Sequence, residues 1–105
     1  MMMINRNKIR KYAREIGRQF HPDRIILFGS YASNSAKEDS DVDILVIMDH
    51  DNPRNVDQAI AIQLKVDAPF PMDLIVKRPA DISERVSMND TFLKSVLQEG
   101  RVLYG

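Results

Sequence analysis

Between residues 5 and 20 the apolar side chains Ile9, Tyr12, Ala13, Ile16 and Phe20 recur at intervals of three and four, which lays one buried stripe along an amphipathic helix. His21 and Pro22 end it, with His21 read as a turn residue. Residues 24–28, Arg-Ile-Ile-Leu-Phe, form a short continuous apolar run closed by Gly29, the pattern of a strand covered on both faces. A small, polar stretch follows. Residues 41–48, Asp-Val-Asp-Ile-Leu-Val-Ile-Met, then predict a second strand that is again apolar on both sides. Asp51, Asn52 and Pro53 signal a helix start, and Val56, Ile60 and Leu64 carry the helix to near Asp67. Pro69 and Pro71 lead into a third strand, residues 72–77, which Pro79 ends. Ile82 and Val86, then Phe92, Leu93, Val96 and Leu97, mark one or two closing helices. Gly100 is placed as a left-handed C-cap before an edge strand at residues 101–104.

The order helix, strand, strand, helix, strand, helix predicts an α/β protein: a mixed sheet flanked by helices, built as one domain over residues 1–105. There is no internal repeat and no low-complexity linker. With no cysteine the chain has no disulfide scaffold, no thiolate zinc site and no cysteine nucleophile, and a cytoplasmic location is expected. No apolar run approaches the ~20 residues that span a bilayer, so no membrane association is expected. The 15 Lys and Arg balance 15 Asp and Glu, but the sum hides a division. The first 24 residues hold seven basic and two acidic side chains, whereas residues 37–51 hold six acids and one Lys.

That acidic segment changes the picture, because Asp is depleted in strands. Gly29 and Ser30 end the first strand, Asp41 and Asp43 open the second, and Asp73 lies inside the third. Residues two apart in a strand point to one face, so Asp41 and Asp43 present adjacent carboxylates that repel unless a cation lies between them. Oxygen-only ligation of this kind suits Mg²⁺, and Asp73 on a neighbouring strand completes a three-carboxylate site. Two such metals clamp the attacking and leaving oxygens of an in-line phosphoryl displacement, and a carboxylate can take the proton of an attacking hydroxyl. Gly29 allows close backbone approach to a phosphate, Ser30 supplies a hydroxyl and an amide, and a short helix starting there aims its N–H groups at the anion.

The motif Leu27-Phe28-Gly29-Ser30-Tyr31-Ala32, ten residues after Ser30, then Asp41-Val42-Asp43-Ile44-Leu45-Val46, resembles the minimal nucleotidyltransferases of the DNA polymerase β superfamily. The likeness extends to Ser40 before the first Asp, to Asp73, and to the terminal Glu99-Gly100-Arg101-Val102-Leu103-Tyr104. It implies a polymerase β-like palm in which Gly29 and Ser30 hold the triphosphate. Asp41 and Asp43 would bind Mg²⁺, and Asp73 would be the third acidic residue, both ligand and aid to the acceptor. It also implies transfer of a nucleoside monophosphate, AMP from ATP by preference, to a hydroxyl of a partner protein. Chains of this size resemble antitoxins paired with a HEPN-like helical toxin. One departure stands out: the family usually carries a basic residue and a glycine where this chain has Ser33-Asn34.

Two other function classes remain open. The same fold could neutralise its partner by contact alone, with Ser33-Asn34 marking weak or lost catalysis, or it could modify RNA. Arg6, Arg10, Arg14 and Arg18 recur every fourth residue and give the first helix a basic side, read first as a solvated face and second as a dock for RNA or an acidic partner. Lys77 and Arg78 are read as a solvated pair. Homo- and hetero-oligomers are both compatible with the sequence.

Overall fold

The structure, a computed structural model that describes residues 4–105, begins with α1 (Arg6–Phe20), whose N-cap Asn5 accepts from the Asn7 N–H at 2.7 Å. Of its apolar stripe, Ile9, Tyr12, Ala13 and Ile16 are buried, and Phe20 at its end is partly buried against the same core. His21 ends it in the left-handed conformation, φ 50°. The chain continues through β1 (Arg24–Phe28), a single 3₁₀ turn (Gly29–Tyr31), β2 (Val42–Ile47), α2 (Asn55–Lys65), β3 (Met72–Lys77), α3 (Pro79–Ser87), α4 (Thr91–Glu99) and β4 (Arg101–Tyr104).

The four strands form one mixed sheet in the order β3-β2-β1-β4. β1 is antiparallel to both neighbours, and β2 is parallel to β3, a pairing that needs a crossover, here α2. Alternation along the strands sorts the core into two layers. Ile25, Leu27, Val42, Ile44, Val46, Leu74 and Val76 face α1 and α2. Ile26, Leu45 and Ile47, with Phe28 and Ile75, face α4 and Ile82 of α3. Asp43 and Asp73 share strand parity with this second layer and lie at its margin.

Three expectations change. Helix α2 starts at Asn55 rather than at the Asp51-Asn52-Pro53 signal, because its first turn is closed by Asp57, which accepts the Arg54 N–H at 3.2 Å. The stripe of α2 that meets the sheet is Ala59 and Ile62, continued by Val66; Val56, Ile60 and Leu64 are exposed, Leu64 by 81%. Gly100 is extended, φ −69° and ψ 162°, not left-handed. It donates its N–H to Val96 O at 2.8 Å, so the chain passes straight from α4 into β4.

Gly17 lies on the buried side of α1, where a Cβ would strike the Tyr104 ring of β4. That contact sets how closely α1 and the edge strand approach. Gly17→Val is expected to push Tyr104 away and to cost about 2 kcal/mol in urea unfolding, the usual penalty for overfilling a packed contact.

Candidate active site

The site is assembled by strand register. Phe28, the last residue of β1, pairs with Asp43, and Asp43 pairs with Asp73 across the parallel β2–β3 ladder. These three positions form one row across the sheet, on the face that carries α3 and α4. Immediately after Phe28 the chain turns at Gly29, whose φ of 72° suits only glycine well. A Cβ at Gly29 would overlap Asp43 Oδ2 and lie 3.1 Å from its Cγ. The Asp43 carboxylate therefore occupies the space that a side chain on the Gly-Ser turn would fill.

Asp43 is half-buried. Burial, then the neighbouring charges of Asp73 and Asp41, raise its carboxyl above the ordinary aspartate range. Asp41 is exposed just before β2, and the Val42 N–H beside it is held by Pro71 O at 3.0 Å. Asp41 and Asp73 thus place negative charge against Asp43, one from just before its own strand and the other from the next. A divalent cation would relieve that repulsion, so the donor set suits one in charge and ligand type. Among the described residues no three His, Asp or Glu side chains converge as a ready-made metal site.

Ser30 lies on the 3₁₀ turn, which is shorter than the helix expected there. The N–H groups of Ala32 and Ser33 fold back onto Gly29 O at 3.1 and 3.2 Å, and the Ser35 N–H reaches Ser30 O at 2.9 Å. Asn34 adopts the left-handed conformation, φ 60°. On the α4 side of this loop a cleft of ≈ 360 Å³ is lined by Phe28, Gly29, Ala32, Ser33, Phe92 and Ser95, among others. Phe28 and Phe92 meet edge to face at 5.6 Å.

Three arginines take roles that sequence reasoning missed. Arg101 Nε donates to Ala32 O at 2.9 Å, and an Arg6 guanidinium N–H donates to Tyr31 O at 3.5 Å and to Asn34 Oδ1. The lack of any Lys or Arg in residues 29–36 was the sole hint that cations come from elsewhere, and nothing local points to Arg101, 69 positions from its acceptor. Arg78 corrects the expectation of a solvated pair. It donates to Asn52 O at 2.8 Å, His50 O at 3.4 Å and Asn55 Oδ1 at 3.2 Å, tying the segment before α2 to the start of α3.

With this geometry in place, comparison with known proteins is informative. The nucleotidyltransferase domain family matches residues 6–104. A Methanocaldococcus jannaschii protein named "Putative protein adenylyltransferase MJ0604" is 38% identical over 81 residues, 77% of each chain. A solved structure described as a putative nucleotidyltransferase from Sulfolobus solfataricus superposes with a TM-score of 0.58 at 19% identity, over 74% of this chain and 70% of that one, a likeness of fold. Among the described residues no helix is long and apolar enough to cross a membrane.

The raised Asp43 carboxyl has a consequence for stability. A carboxyl whose folded pKa exceeds its unfolded value favours folding below the unfolded pKa and loses that contribution as pH rises through the folded one. In chelator-treated protein, Asp43→Asn is therefore expected to raise the urea midpoint at pH 7. The gain should disappear as pH falls below ~3.9, where the carboxyl is protonated in both states. A variant no more stable than wild type at pH 7 would remove the case for strain at this position.

Proposed function

This chain belongs to the nucleotidyltransferase domain family, and from that premise we propose that it transfers AMP from ATP to a hydroxyl group of a partner protein, with Mg²⁺ as its metal. Membership makes it a transferase of nucleotidyl groups. The single observation that carries the finer reading is the meeting of the Gly29 turn, Asp43 and Asp73 on one row of the sheet. The printed name of the M. jannaschii relative supports protein as the acceptor.

In this proposal Asp41 and Asp43 are the metal ligands, with Asp73 as the third acidic residue, and the ions, when bound, neutralise charge on the α-phosphate and on the departing pyrophosphate. Gly29 and Ser30 hold the β- and γ-phosphates through backbone N–H groups and the Ser30 hydroxyl. Asp73 receives the acceptor's proton as the oxygen attacks the α-phosphorus; the bond to the bridging oxygen of the β-phosphate breaks, and pyrophosphate leaves. The cleft beside Gly29, with the half-exposed Phe92 on its wall, offers an aromatic surface for the nucleoside.

The partner is proposed to be a HEPN-like helical toxin, which makes the chain an antitoxin acting in the cytoplasm; the resemblance of the motif supports this pairing. A second reading, silencing by contact without transfer, is favoured by the loop's lack of a basic residue in positions 29–36.

Label transfer separates the two. With a co-purified partner and Mg²⁺, label from α-labelled ATP but not γ-labelled ATP is expected to enter protein. Asp41→Ala and Asp43→Ala should reduce it to background, and Asp73→Asn should slow it about 100-fold, as loss of a proton acceptor does. Incorporation that persists in the Asp41→Ala, Asp43→Ala double variant would overturn the catalytic assignment. Full silencing of the partner by that variant would establish the contact reading in its place.

A further inference from the structure

The loop that meets the triphosphate in the proposal above has little regular structure of its own. It contains one 3₁₀ turn, no cation in residues 29–36, and a non-glycine residue, Asn34, in the left-handed region. A three-residue turn has almost no cooperative stability of its own. Ser33 Oγ reaches Gly29 O and Ser30 O from within the loop, and Tyr31 and Ala32 are buried in the core, but the Tyr31 and Ala32 carbonyls must be held from outside.

The structure assigns that task to Arg6 and Arg101: we propose that these two residues, from opposite ends of the chain, clamp residues 29–35 and thereby position the phosphate-binding amide and hydroxyl of Ser30. The proposal rests on the nucleotide-binding role given to this loop above and goes beyond it by naming positioning residues.

Peptide geometry carries the argument. Arg6 holds the carbonyl of the Tyr31–Ala32 peptide at 3.5 Å, and Arg101 holds that of the Ala32–Ser33 peptide at 2.9 Å. In a trans peptide the C=O and N–H point in opposite directions, so fixing each carbonyl also fixes the N–H of Ala32 and of Ser33. Both N–H groups close on one acceptor, Gly29 O, at 3.1 and 3.2 Å. Gly29 O belongs in turn to the peptide whose other edge is the Ser30 N–H. The two guanidiniums therefore bear, through two peptide planes and one shared carbonyl that Ser33 Oγ also reaches, on the direction in which the Ser30 amide points.

Two further bonds complete the clamp. Arg6 also donates to Asn34 Oδ1, holding the left-handed residue in place, and the Tyr31 hydroxyl, with its side chain buried, accepts the Ile4 N–H at 3.1 Å. Arg6 and Arg101 line the same groove between α1 and β4 as Arg10, over a floor that includes Ile9 and Leu27. They bring positive charge to the back of a loop that has none of its own.

The test combines amide hydrogen exchange in nucleotide-free protein with calorimetric titration of MgATP and of adenosine, on wild type, Arg6→Gln, Arg101→Gln and Arg101→Lys. Arg101→Gln is expected to speed exchange at Ala32 and Ser33 at least ~10-fold, leave β2 and β3 amides unchanged, and weaken MgATP ~10-fold with little effect on adenosine. Arg101→Lys, which keeps one N–H donor toward Ala32 O, should recover most of both. Unchanged exchange in Arg6→Gln and Arg101→Gln overturns the clamp, as does faster exchange with MgATP affinity intact, or equal weakening of adenosine. Wild-type protein that binds no MgATP overturns the nucleotide reading and the clamp's function together. Normal wild-type binding matched by both Gln variants overturns the clamp alone.

Discussion

The register that pairs Phe28 with Asp43 and Asp43 with Asp73 governs the molecule. A shift of one residue between β1 and β2 would turn every side chain to the other face, sending Leu45 and Ile47 away from α4 and Asp43 into the layer under α1 and α2. Burial of the two apolar layers therefore specifies the site as a by-product. Repulsion among the carboxylates opposes folding, but it falls at the end of a ladder whose remaining positions, Ile44 to Ile47, are buried throughout. The core can hold the acidic row because that row lies at its edge.

The glycine turn and the acidic row are mutually dependent. Asp43 can lie against the backbone of residue 29 because that residue has no side chain, and the positive φ there is the geometry that carries the chain from β1 into the loop. Arginines spread along the chain serve the loop after β1 and the segment before α2 through specific contacts. Arg6 and Arg101 reach carbonyls on the loop, and Arg78 gathers the segment before α2 against α3. Arg6 and Arg78, each reaching more than one acceptor, use the several fixed donors of a guanidinium.

Much of this was legible from residues alone. β1 and β3 have the bounds their apolar runs and flanking Gly or Pro residues mark, and the two-residue period brought Asp41, Asp43 and Asp73 to one end of the sheet. What escaped was non-local or competitive. Asp51, Asn52 and Pro53 carry a valid helix-start signal, but Arg78 holds Asn52 O and Asp57 closes the first turn two residues further on. Val56, Ile60 and Leu64 have helical spacing, yet α2 offers a second apolar stripe, and the smaller Ala59 lets the helix approach the sheet more closely. Gly100 looked like a cap because a glycine after a helix often is one; here the strand that follows requires extended backbone at once. The arginine contacts depend on which distant segments the fold brings together, and no local pattern records that.

Because β4 pairs with β1 and Arg101 opens β4, the loop after β1 finds its partner for Ala32 O 69 positions further along the chain. With α1 and β1–β2 in place the loop is held by Arg6 alone, on Tyr31 O and Asn34 Oδ1. Its second hold, on Ala32 O, comes with the docking of β4 against β1, so the shape of the turn after β1 is coupled to the attachment of the sheet's edge strand.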